Sequence, residues 1–461
     1  MNDIHSPFSE RSFFVSTTID FAGEKTLPAL LKMSLPMMAA TFLSMAYNLV
    51  DSLWIGNLLG EEAMAALTSS TPVILLLNAI AMGTAGGGSI LLSQAVGAEN
   101  RAARERLLST SFFASLGLCL LLTAGSEALL PLLLRGLGTP ADILPLARDY
   151  LAVYLLGYLS VFLYNYFAAV LRSYGNTAFQ AIAMLLCTLL NAVLDPLFIH
   201  WLGFSGAAVA TVTSQMTALA IMLVYLARKR LFSCHIRQFD RSLLPLCRSA
   251  LPSVVQQGVP AVSTAFLTGL VSGYGVSAIA GYGVACKLEV VLLYPAVSLN
   301  MALTAIVGQC VGAGRPDRAR DYLRASLLFG SGLLAALTAA VLLLARPLAA
   351  LFLSGEAAVS LAARYLLVVG VGYLGNGLAN CFLGAVNGAG RPGTGMLLTA
   401  LYHLGARIPL AWLASALGFG LTGIWCAVLA GHLVAAISTQ MAARRLLWGE
   451  GAPSLPAAAK K

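Results

Sequence analysis

An acidic residue inside an apolar segment is the first feature of this sequence that could do chemistry. Asp195 lies in the stretch Asn191-Ala-Val-Leu-Asp195-Pro196, within an apolar segment over 178–201. A charged side chain in hydrocarbon costs several kcal/mol, so it is expected to have a function. Asn191 precedes Asp195 by one helical turn, which places amide and carboxylate on one face. Pro196 removes a backbone donor, which a membrane tolerates where other groups or water satisfy the carbonyl.

A second carboxylate, Asp51, has the same setting, with Tyr47 one turn before it. Asp51 lies about five residues before Gly56, and Asp195 lies about seven before Leu202, where we expect the two helices to end. At 1.5 Å per residue, both carboxylates are expected roughly 8–10 Å from the outer ends of their helices. The sequence therefore predicts that the two acids share one depth and one site.

Such a pair is suited to binding a proton or a small cation. Two carboxylates in a partly desolvated cavity do not both stay ionised without a counter-charge. A hard cation such as Na⁺ prefers oxygen ligands, which Asp51, Asp195, Asn191 and Thr211 supply, and the phenol of Tyr47 adds a further oxygen. The alternative is that each Asp hydrogen-bonds locally and only fixes helix packing. We predict H⁺ or Na⁺ as coupling ion and no other cofactor.

Three further charged residues lie inside apolar segments. Glu289 is expected to have a structural role, since Lys287 is two residues away and either could be neutralised from another helix. Arg407 lies within about one position of the residue that matches Asn191 in the second half of the chain. It places a cation where the first half has its acid, although pairing with a helix-end carbonyl or another acid is an equal alternative.

Aromatic and methionine side chains suggest a wall for a substrate cavity. Tyr150, Tyr154 and Tyr158 recur at a spacing of four residues, and Asn165 follows in the same segment. A tyrosine stripe can stack on a flat cationic ligand, but packing and interfacial anchoring explain it equally well. Met38 offers an adaptable apolar surface, with ordinary packing as the alternative. The candidate cavity residues are Tyr150, Tyr154, Asn165 and Met38.

The elements that must position these residues are membrane-spanning helices. The chain has 461 residues, of which 59% are hydrophobic and 10% charged, which excludes a soluble globular protein. Each apolar segment is long enough to cross about 30 Å of hydrocarbon. The twelve predicted spans are 33–55, 64–94, 108–134, 146–171, 178–201, 206–227, 247–271, 276–308, 325–345, 359–386, 395–416 and 421–443.

The basic residues show how the chain is oriented. If the amino terminus is cytoplasmic, 22 of the 28 Lys and Arg residues fall in the tails and in loops on the same side. This is the positive-inside bias, and it predicts that both termini are cytoplasmic. The net charge of +9 is therefore not evidence for nucleic-acid binding. The lipid bilayer of the cell membrane is the expected environment, and the protein is expected to be a monomer.

An internal repeat with a period near 215 residues divides the chain into two halves. Gln94-Ala-Val-Gly-Ala98 matches Gln309-Cys-Val-Gly-Ala313, and Leu202-Gly-Phe matches Leu417-Gly-Phe. Six spans in each half give both halves the same orientation. The predicted domains are a tail over 1–27, an N-lobe over 28–230, a cytoplasmic connector over 231–246, a C-lobe over 247–447 and a tail over 448–461.

These stretches resemble the multidrug and toxic compound extrusion (MATE) transporters, in particular their DinF-like branch, over about 30–447. The resemblance rests on Pro36, the segment 47–56, the two Gln-x-x-Gly-Ala stretches, the segment 191–199 and the segment 206–211. It implies an all-α membrane protein of twelve transmembrane helices in two pseudo-symmetric six-helix lobes around a central cleft. It also implies a bend in the first helix at Pro36, and coupling carboxylates at Asp51 and Asp195 supported by Asn191 and Thr211.

The sequence differs from the branch that has acids in its seventh and tenth helices. Here Gln256-Gln257 and Asn376-Gly-Leu-Ala-Asn380 stand at those places, which favours ion coupling in the first lobe.

The expected function is therefore transport and not enzymatic catalysis. We expect an antiporter that exports organic cations or amphipathic compounds, antibiotics among them, in exchange for H⁺ or Na⁺ by alternating access. One alternative is a flippase for a lipid-linked oligosaccharide, which needs positive charge in the cleft. A second is a membrane-embedded prenyl transferase, which needs a second acidic motif that the sequence lacks.

Overall fold

The described part of the chain is built from helices joined by short turns. The computed structural model describes residues 19, 21, 23–232, 234–235, 238–240, 242–353 and 355–448. Most of both predicted tails therefore lies outside the described residues. The helices are α1 (Thr26–Gly97), α2 (Arg101–Gly136), α3 (Leu144–Leu156), α4 (Tyr158–Ser173), α5 (Ala178–Leu202), α6 (Phe204–Arg228), α7 (Leu243–Ser272), α8 (Val276–Gly312), α9 (Pro316–Leu343), α10 (Ala345–Ala350), α11 (Glu356–Gly388), α12 (Pro392–Ala400), a π-helical segment (Leu401–Arg407), α13 (Ile408–Ala416) and α14 (Gly420–Trp448).

Twelve membrane spans follow from these helices. Within the described residues, ten helices are long and apolar enough to cross a bilayer, when α12, the π-helical segment and α13 are taken as one. The 72-residue α1 is two spans, because Gly60 inside it has φ 81° and ψ −160°, which an α-helix cannot contain. The pair α3 and α4, bent by 46°, forms one more. The predicted number of spans and the all-helical fold are confirmed.

The ends and shapes of some spans differ from the prediction. The first span continues past Gly56 to the break at Gly60, since only a residue without a Cβ readily adopts the dihedral angles found there. The segment predicted as one span over 146–171 is bent at Gly157, where α4 crosses α6 and a Cβ would overlap Val212. The backbone of α1 stays helical through Pro36, so the bend there stays a prediction.

Each half of the chain forms its own packed lobe. Buried side chains of α1 to α6, such as Leu151 and Phe162, pack together in the first lobe. Those of α7 to α14, such as Tyr365 and Trp425, pack in the second. The start of α1 is an exception, because Met33 packs among Leu303 and other residues of the second lobe. The first helix therefore links the acid-bearing lobe to its partner.

The two lobes meet closely at the end of the bundle where α1 begins and α14 ends, which we call the terminal face. The side chain of Gln94 donates to the carbonyl oxygen of Gly388 at 3.0 Å. The side chain of Gln309 donates to the carbonyl oxygen of Ser173 at 2.7 Å. Both pairs obey the repeat, since each glutamine and each acceptor has its counterpart 215 residues away. The interface is therefore symmetric in detail at this face.

Two glycines allow this close approach. A Cβ on Gly97 would overlap the carbonyl oxygen of Gln309, and a Cβ on Gly312 would overlap the carbonyl oxygen of Gln94. The backbone of each half is in contact with the backbone of the other at this crossing. The lobes are consequently closed against each other at the terminal face.

Candidate functional site

The structure brings the two predicted carboxylates together. Asp51 on α1 and Asp195 on α5 lie within electrostatic reach of each other, because these two helices pack side by side. Both side chains are buried, Asp195 completely and Asp51 to all but 8% of its surface. Asn191 donates from Nδ2 to Oδ1 of Asp195 at 2.9 Å, as expected for residues one turn apart.

We define the acid cluster as Tyr47, Asp51, Asn191, Asp195 and Thr211. It is rich in buried oxygens that lack a hydrogen-bond partner within the described residues. Each of the five residues has one buried oxygen that makes no hydrogen bond within the described part of the chain. The hydroxyl groups of Tyr47 and Thr211 lie next to each other and near the carboxylates. Buried oxygens are normally paired, so this set is suited to a proton or a cation that completes it.

The chemistry of this cluster suits a hard cation. The described residues hold no group of three or more His, Cys, Asp or Glu side chains placed to bind a metal. Two carboxylates with neutral amide and hydroxyl oxygens form a ligand set typical of hard cations. The sodium site predicted at Asp51, Asp195 and Asn191 stays a prediction.

Two of the four predicted substrate residues lie beside the acid cluster. Tyr150 stacks on Phe204, with ring centroids 4.6 Å apart, and is within electrostatic reach of both carboxylates. Tyr154 lies close to Asn78 and Asp51. The tyrosine stripe therefore covers one side of the acids.

The other two predicted substrate residues are placed differently. Asn165 donates its side-chain amide to the carbonyl oxygen of Val161 on its own helix. Met38 packs in the apolar cluster that contains Met33 and Leu303. Ordinary packing, the alternative considered for Met38, is what the structure places there.

A cavity with a volume of about 370 Å³ lies between the lobes. Its wall is formed by α1, α4, α7, α8, α11, α12, the π-helical segment and α14. Tyr150, Tyr154, Asn165 and Met38 are not among the described residues that line it. Besides serine and threonine hydroxyls, the polar and charged side chains on the wall are Arg172, Gln256, Gln257, Glu289, Asn300, Asn376, Asn380, Asn387, Tyr402, His403, Arg407 and His432.

Glu289 and Arg407 both face this cavity. Glu289 accepts a hydrogen bond from the hydroxyl group of Tyr365 at 2.9 Å. Arg407 lies within electrostatic reach of Glu289. Within the described residues, Arg407 makes no hydrogen bond to a helix-end carbonyl group and no direct ion pair with an acid. Its Nε has no acceptor there. Lys287 does not line the cavity, so it does not contribute charge to the wall.

Sequence reasoning missed part of this wall. His403 and His432 are buried next to Arg407, and neither was singled out, although a polar side chain inside an apolar span is a usable signal. The amides of Gln256 and Asn380 were noted only as replacements for acids. They belong to networks in the cavity wall, in which Gln256 pairs with Asn387 and Asn380 pairs with Asn300 and Asn376.

Comparison with known proteins supports a transport function. The MatE family profile matches residues 36–197 and again 252–413, with starts 216 residues apart as the internal repeat requires. The FAD transporter of Shewanella oneidensis is 28% identical over 90% of this chain and 94% of its own. The multidrug export protein MepA of Staphylococcus aureus is 26% identical over 90% of this chain and 93% of its own.

Solved structures show the same fold. A MATE protein in complex with MaL6 has a TM-score of 0.88 at 25% identity and covers 93% of this chain and 98% of its own. A MOP superfamily transporter from Pyrococcus furiosus has a TM-score of 0.87 at 25% identity, with 96% of this chain and 98% of its own covered. Since the family profile matches both halves of the twelve-span fold, the protein belongs to the MatE family of membrane transporters and is not an enzyme.

Proposed function

We propose that this transporter is an antiporter that exports amphipathic organic compounds, organic cations included, in exchange for H⁺ or Na⁺ bound by the acid cluster. The observation that carries the proposal is the buried pair Asp51 and Asp195, each with a carboxylate oxygen that has no hydrogen-bond partner within the described residues. An exchanging ion must be bound, released and bound again, and a pair of buried carboxylates supplies the negative charge for this.

The coupling ion acts through α1. Two buried carboxylates repel each other, so Asp51 on α1 and Asp195 on α5 lie stably side by side only when a proton or Na⁺ neutralises part of their charge. The start of α1 packs inside the second lobe, so a rearrangement at Asp51 is transmitted to the lobe interface. Ion binding then favours one arrangement of the lobes and substrate binding the other, which is the basis of exchange.

The orientation proposed for this cycle puts the terminal face in the cytoplasm. The placement of 22 of the 28 Lys and Arg residues on that side supports it. The lobes are in direct contact at this face in this conformation. The transporter is proposed to act as a monomer in the cell membrane.

A flavin nucleotide is a second candidate for the exported compound. The relative from Shewanella oneidensis is named for FAD transport, and the Pyrococcus furiosus transporter is described as having a binding pocket of reverse polarity. The specific observation that favours this candidate is the charge of the cavity wall, where two arginines face one glutamate. A flippase for a lipid-linked precursor uses similar charges and remains the third candidate. The prenyl transferase alternative falls, because members of this family are transporters.

Transport into proteoliposomes tests the coupling. Ethidium and FAD are offered separately, and a pH gradient or a Na⁺ gradient is imposed one at a time. We expect Asp51→Asn and Asp195→Asn to abolish gradient-driven export and to stay folded in the membrane. Asp149→Asn, the same change at an exposed carboxylate, is the matched control and keeps full activity. Full export by both acid-cluster variants would refute the proposal.

A further inference from the structure

Arg407 is a buried cation that lies within electrostatic reach of Glu289 but makes no direct ion pair with it. It retains 6% of its surface exposed and lies on the cavity wall. Within the described residues its Nε has no acceptor, and Glu289, the nearest acid, is instead bonded to Tyr365. A buried guanidinium with an unpaired donor is costly, so an arrangement of this kind is stable when a ligand supplies the missing acceptor.

Two histidines add donors at the same corner of the cavity. His403 lies four residues before Arg407 on the π-helical segment, and His432 faces them from α14. Both are buried, both lie within electrostatic reach of Arg407, and Nδ1 of each is without a partner among the described residues. A π-helical turn is often found at functional sites, and here it carries two of the three groups.

The rest of the wall does not balance this positive charge. Of the described residues that line the cavity, three carry a formal charge, namely Arg172, Arg407 and Glu289. Arg172 reaches the cavity from the first lobe and bonds only weakly to Gln180, at 3.4 Å. The cavity therefore has an excess of positive charge even with Glu289 ionised. This excess disfavours an organic cation at the Arg407 corner.

The amide groups of the wall suit the uncharged part of such a ligand. Gln256, Asn300, Asn376, Asn380 and Asn387 offer both donors and acceptors, as the polar edge of a heteroaromatic ring requires. Tyr402 lies next to His403, with ring centroids 4.3 Å apart, and provides an aromatic surface.

We propose that Arg407, His403 and His432 form an anion subsite that binds the phosphate group of an amphipathic cargo. The guanidinium binds two phosphate oxygens in its fork, and the histidines bind the third, so a phosphate monoester uses the corner more fully than a carboxylate does. The inference rests on the proposed function in one respect only, namely that the cavity between the lobes is the cargo site.

Riboflavin and FMN provide a matched pair of probes, since they differ by one phosphate and both fluoresce. Binding to the purified full-length protein in phosphatidylcholine nanodiscs is measured by fluorescence quenching. We expect FMN to bind at least tenfold more tightly than riboflavin. Arg407→Gln is expected to weaken FMN binding about tenfold or more and to leave riboflavin binding within about twofold, because one charged hydrogen-bonding group is lost.

Lys287→Gln is the control for Arg407→Gln, because it removes a cation from the same lobe away from the cavity. Arg407→Lys keeps the charge without the fork and is expected to restore part of the affinity. Equal binding of FMN and riboflavin, or loss of both probes in Arg407→Gln with the fold intact, overturns the proposal. If Arg407→Gln does not fold, competition on the unmodified protein decides: pyrophosphate is expected to displace FMN, and no displacement overturns it.

Two further comparisons separate related outcomes. Nanodiscs with phosphatidylglycerol test a lipid headgroup as the occupant: FMN affinity is expected to stay within about twofold, and a larger loss overturns the small-molecule cargo. Asp51→Asn is expected to keep the preference for FMN over riboflavin while losing gradient-driven export. If the coupling proposal is wrong, Asp51→Asn still exports cargo along the gradient. If the subsite is wrong, the protein does not prefer FMN over riboflavin.

Discussion

Gln94 and Gln309 occupy the same position in the two repeats, and each donates its side-chain amide across the lobe interface to the backbone of the other half. The acceptors, Gly388 and Ser173, are themselves related by the repeat. All four groups are buried. Because buried backbone carbonyls need donors, the two hydrogen bonds stabilise the closed terminal face.

Replacing both glutamines is therefore expected to favour opening of the terminal face. Each Gln→Leu change removes about 1 kcal/mol or more and leaves a carbonyl without its donor. Spin labels on exposed Lys229 and Arg391, in a cysteine-free background, should show a longer distance population in Gln94→Leu/Gln309→Leu. Gln440→Leu, a glutamine of α14 without a bond across the interface among the described residues, is the control. An unchanged distance distribution would show that these two hydrogen bonds do not hold the terminal face closed.

A side chain at Gly97 or Gly312 is expected to be more disruptive than loss of a hydrogen bond. A Cβ at either position overlaps a backbone carbonyl oxygen of the other half, which cannot move aside like a flexible side chain. Gly97→Ala should lower the melting temperature and raise accessibility from the terminal face, as measured by thermal unfolding and by labelling of a cysteine at Ser93. Gly88→Ala is the matched control on the same helix, since nothing lies within 4 Å of its Cβ position. Equal stability of the two variants would contradict the packing described here.

The hydrogen bond from Asn191 to Asp195 predicts a graded loss of coupling. Asn191→Leu removes the donor to Oδ1 of Asp195 and one of the free oxygens of the acid cluster. We expect the concentration of coupling ion needed for half-maximal export to rise about tenfold, while the preference for FMN over riboflavin is unchanged. Asn48→Leu, an exposed amide on α1, serves as the control in the same ion titration. Normal ion dependence in Asn191→Leu would show that Asn191 only fixes helix packing.

Asp240 attaches the connector to α2 and gives a prediction on pH. Partial burial raises the pKa of Asp240, but bonds from Ser242 and Thr110 and the charge of Arg106 outweigh it, so the pKa lies below its usual value. Because the pKa of Asp240 is lowered in the folded protein, the ionised carboxylate stabilises the attached connector at pH values above its usual pKa, near 4. This stabilisation is lost as the pH falls through the lower pKa of the folded protein. The effect is small, because the carboxylate is about one third exposed.

The connector is therefore expected to stay attached from pH 7 down to about 5 and to loosen below about 4. Asp240→Asn should loosen it already at pH 7, seen as faster tryptic cleavage after Arg230. Asp142→Asn, an exposed carboxylate in another loop, should cleave at the unmodified rate. Cleavage of Asp240→Asn at that same rate would show that Asp240 does not hold the connector.

Much of the fold could be predicted because hydrophobicity dominates a membrane protein. Twelve apolar segments and a 215-residue repeat already define twelve helices in two similar halves. The break at Gly60 and the bend at Gly157 were not predicted, since each depends on a local backbone conformation or on a neighbour such as Val212. Glycine is common in this chain, so its presence alone does not indicate a bend.

The candidate site was predictable in the first lobe and less so in the second. Asp51 and Asp195 are isolated charges in apolar spans, and equal depth on packed helices brings them together. The wall of the cavity combines residues far apart in sequence, such as Arg172 and His432, that only the packing of the lobes unites. Met38 shows the converse, since residue type suggested a cavity wall and the position lies in a packed core.

The crossing of the two halves at the terminal face also limits how the halves can change. Gly97 rests on the carbonyl group of Gln309, and Gly312 rests on that of Gln94. A larger side chain in one repeat meets main chain in the other, and no substitution makes main chain smaller. Around the cavity the repeats can acquire different charges, as Arg407 illustrates. At the crossing, a mutation in one repeat has no compensating mutation in the other, so a duplicated gene can specialise its cargo site while this junction must keep its ancestral form.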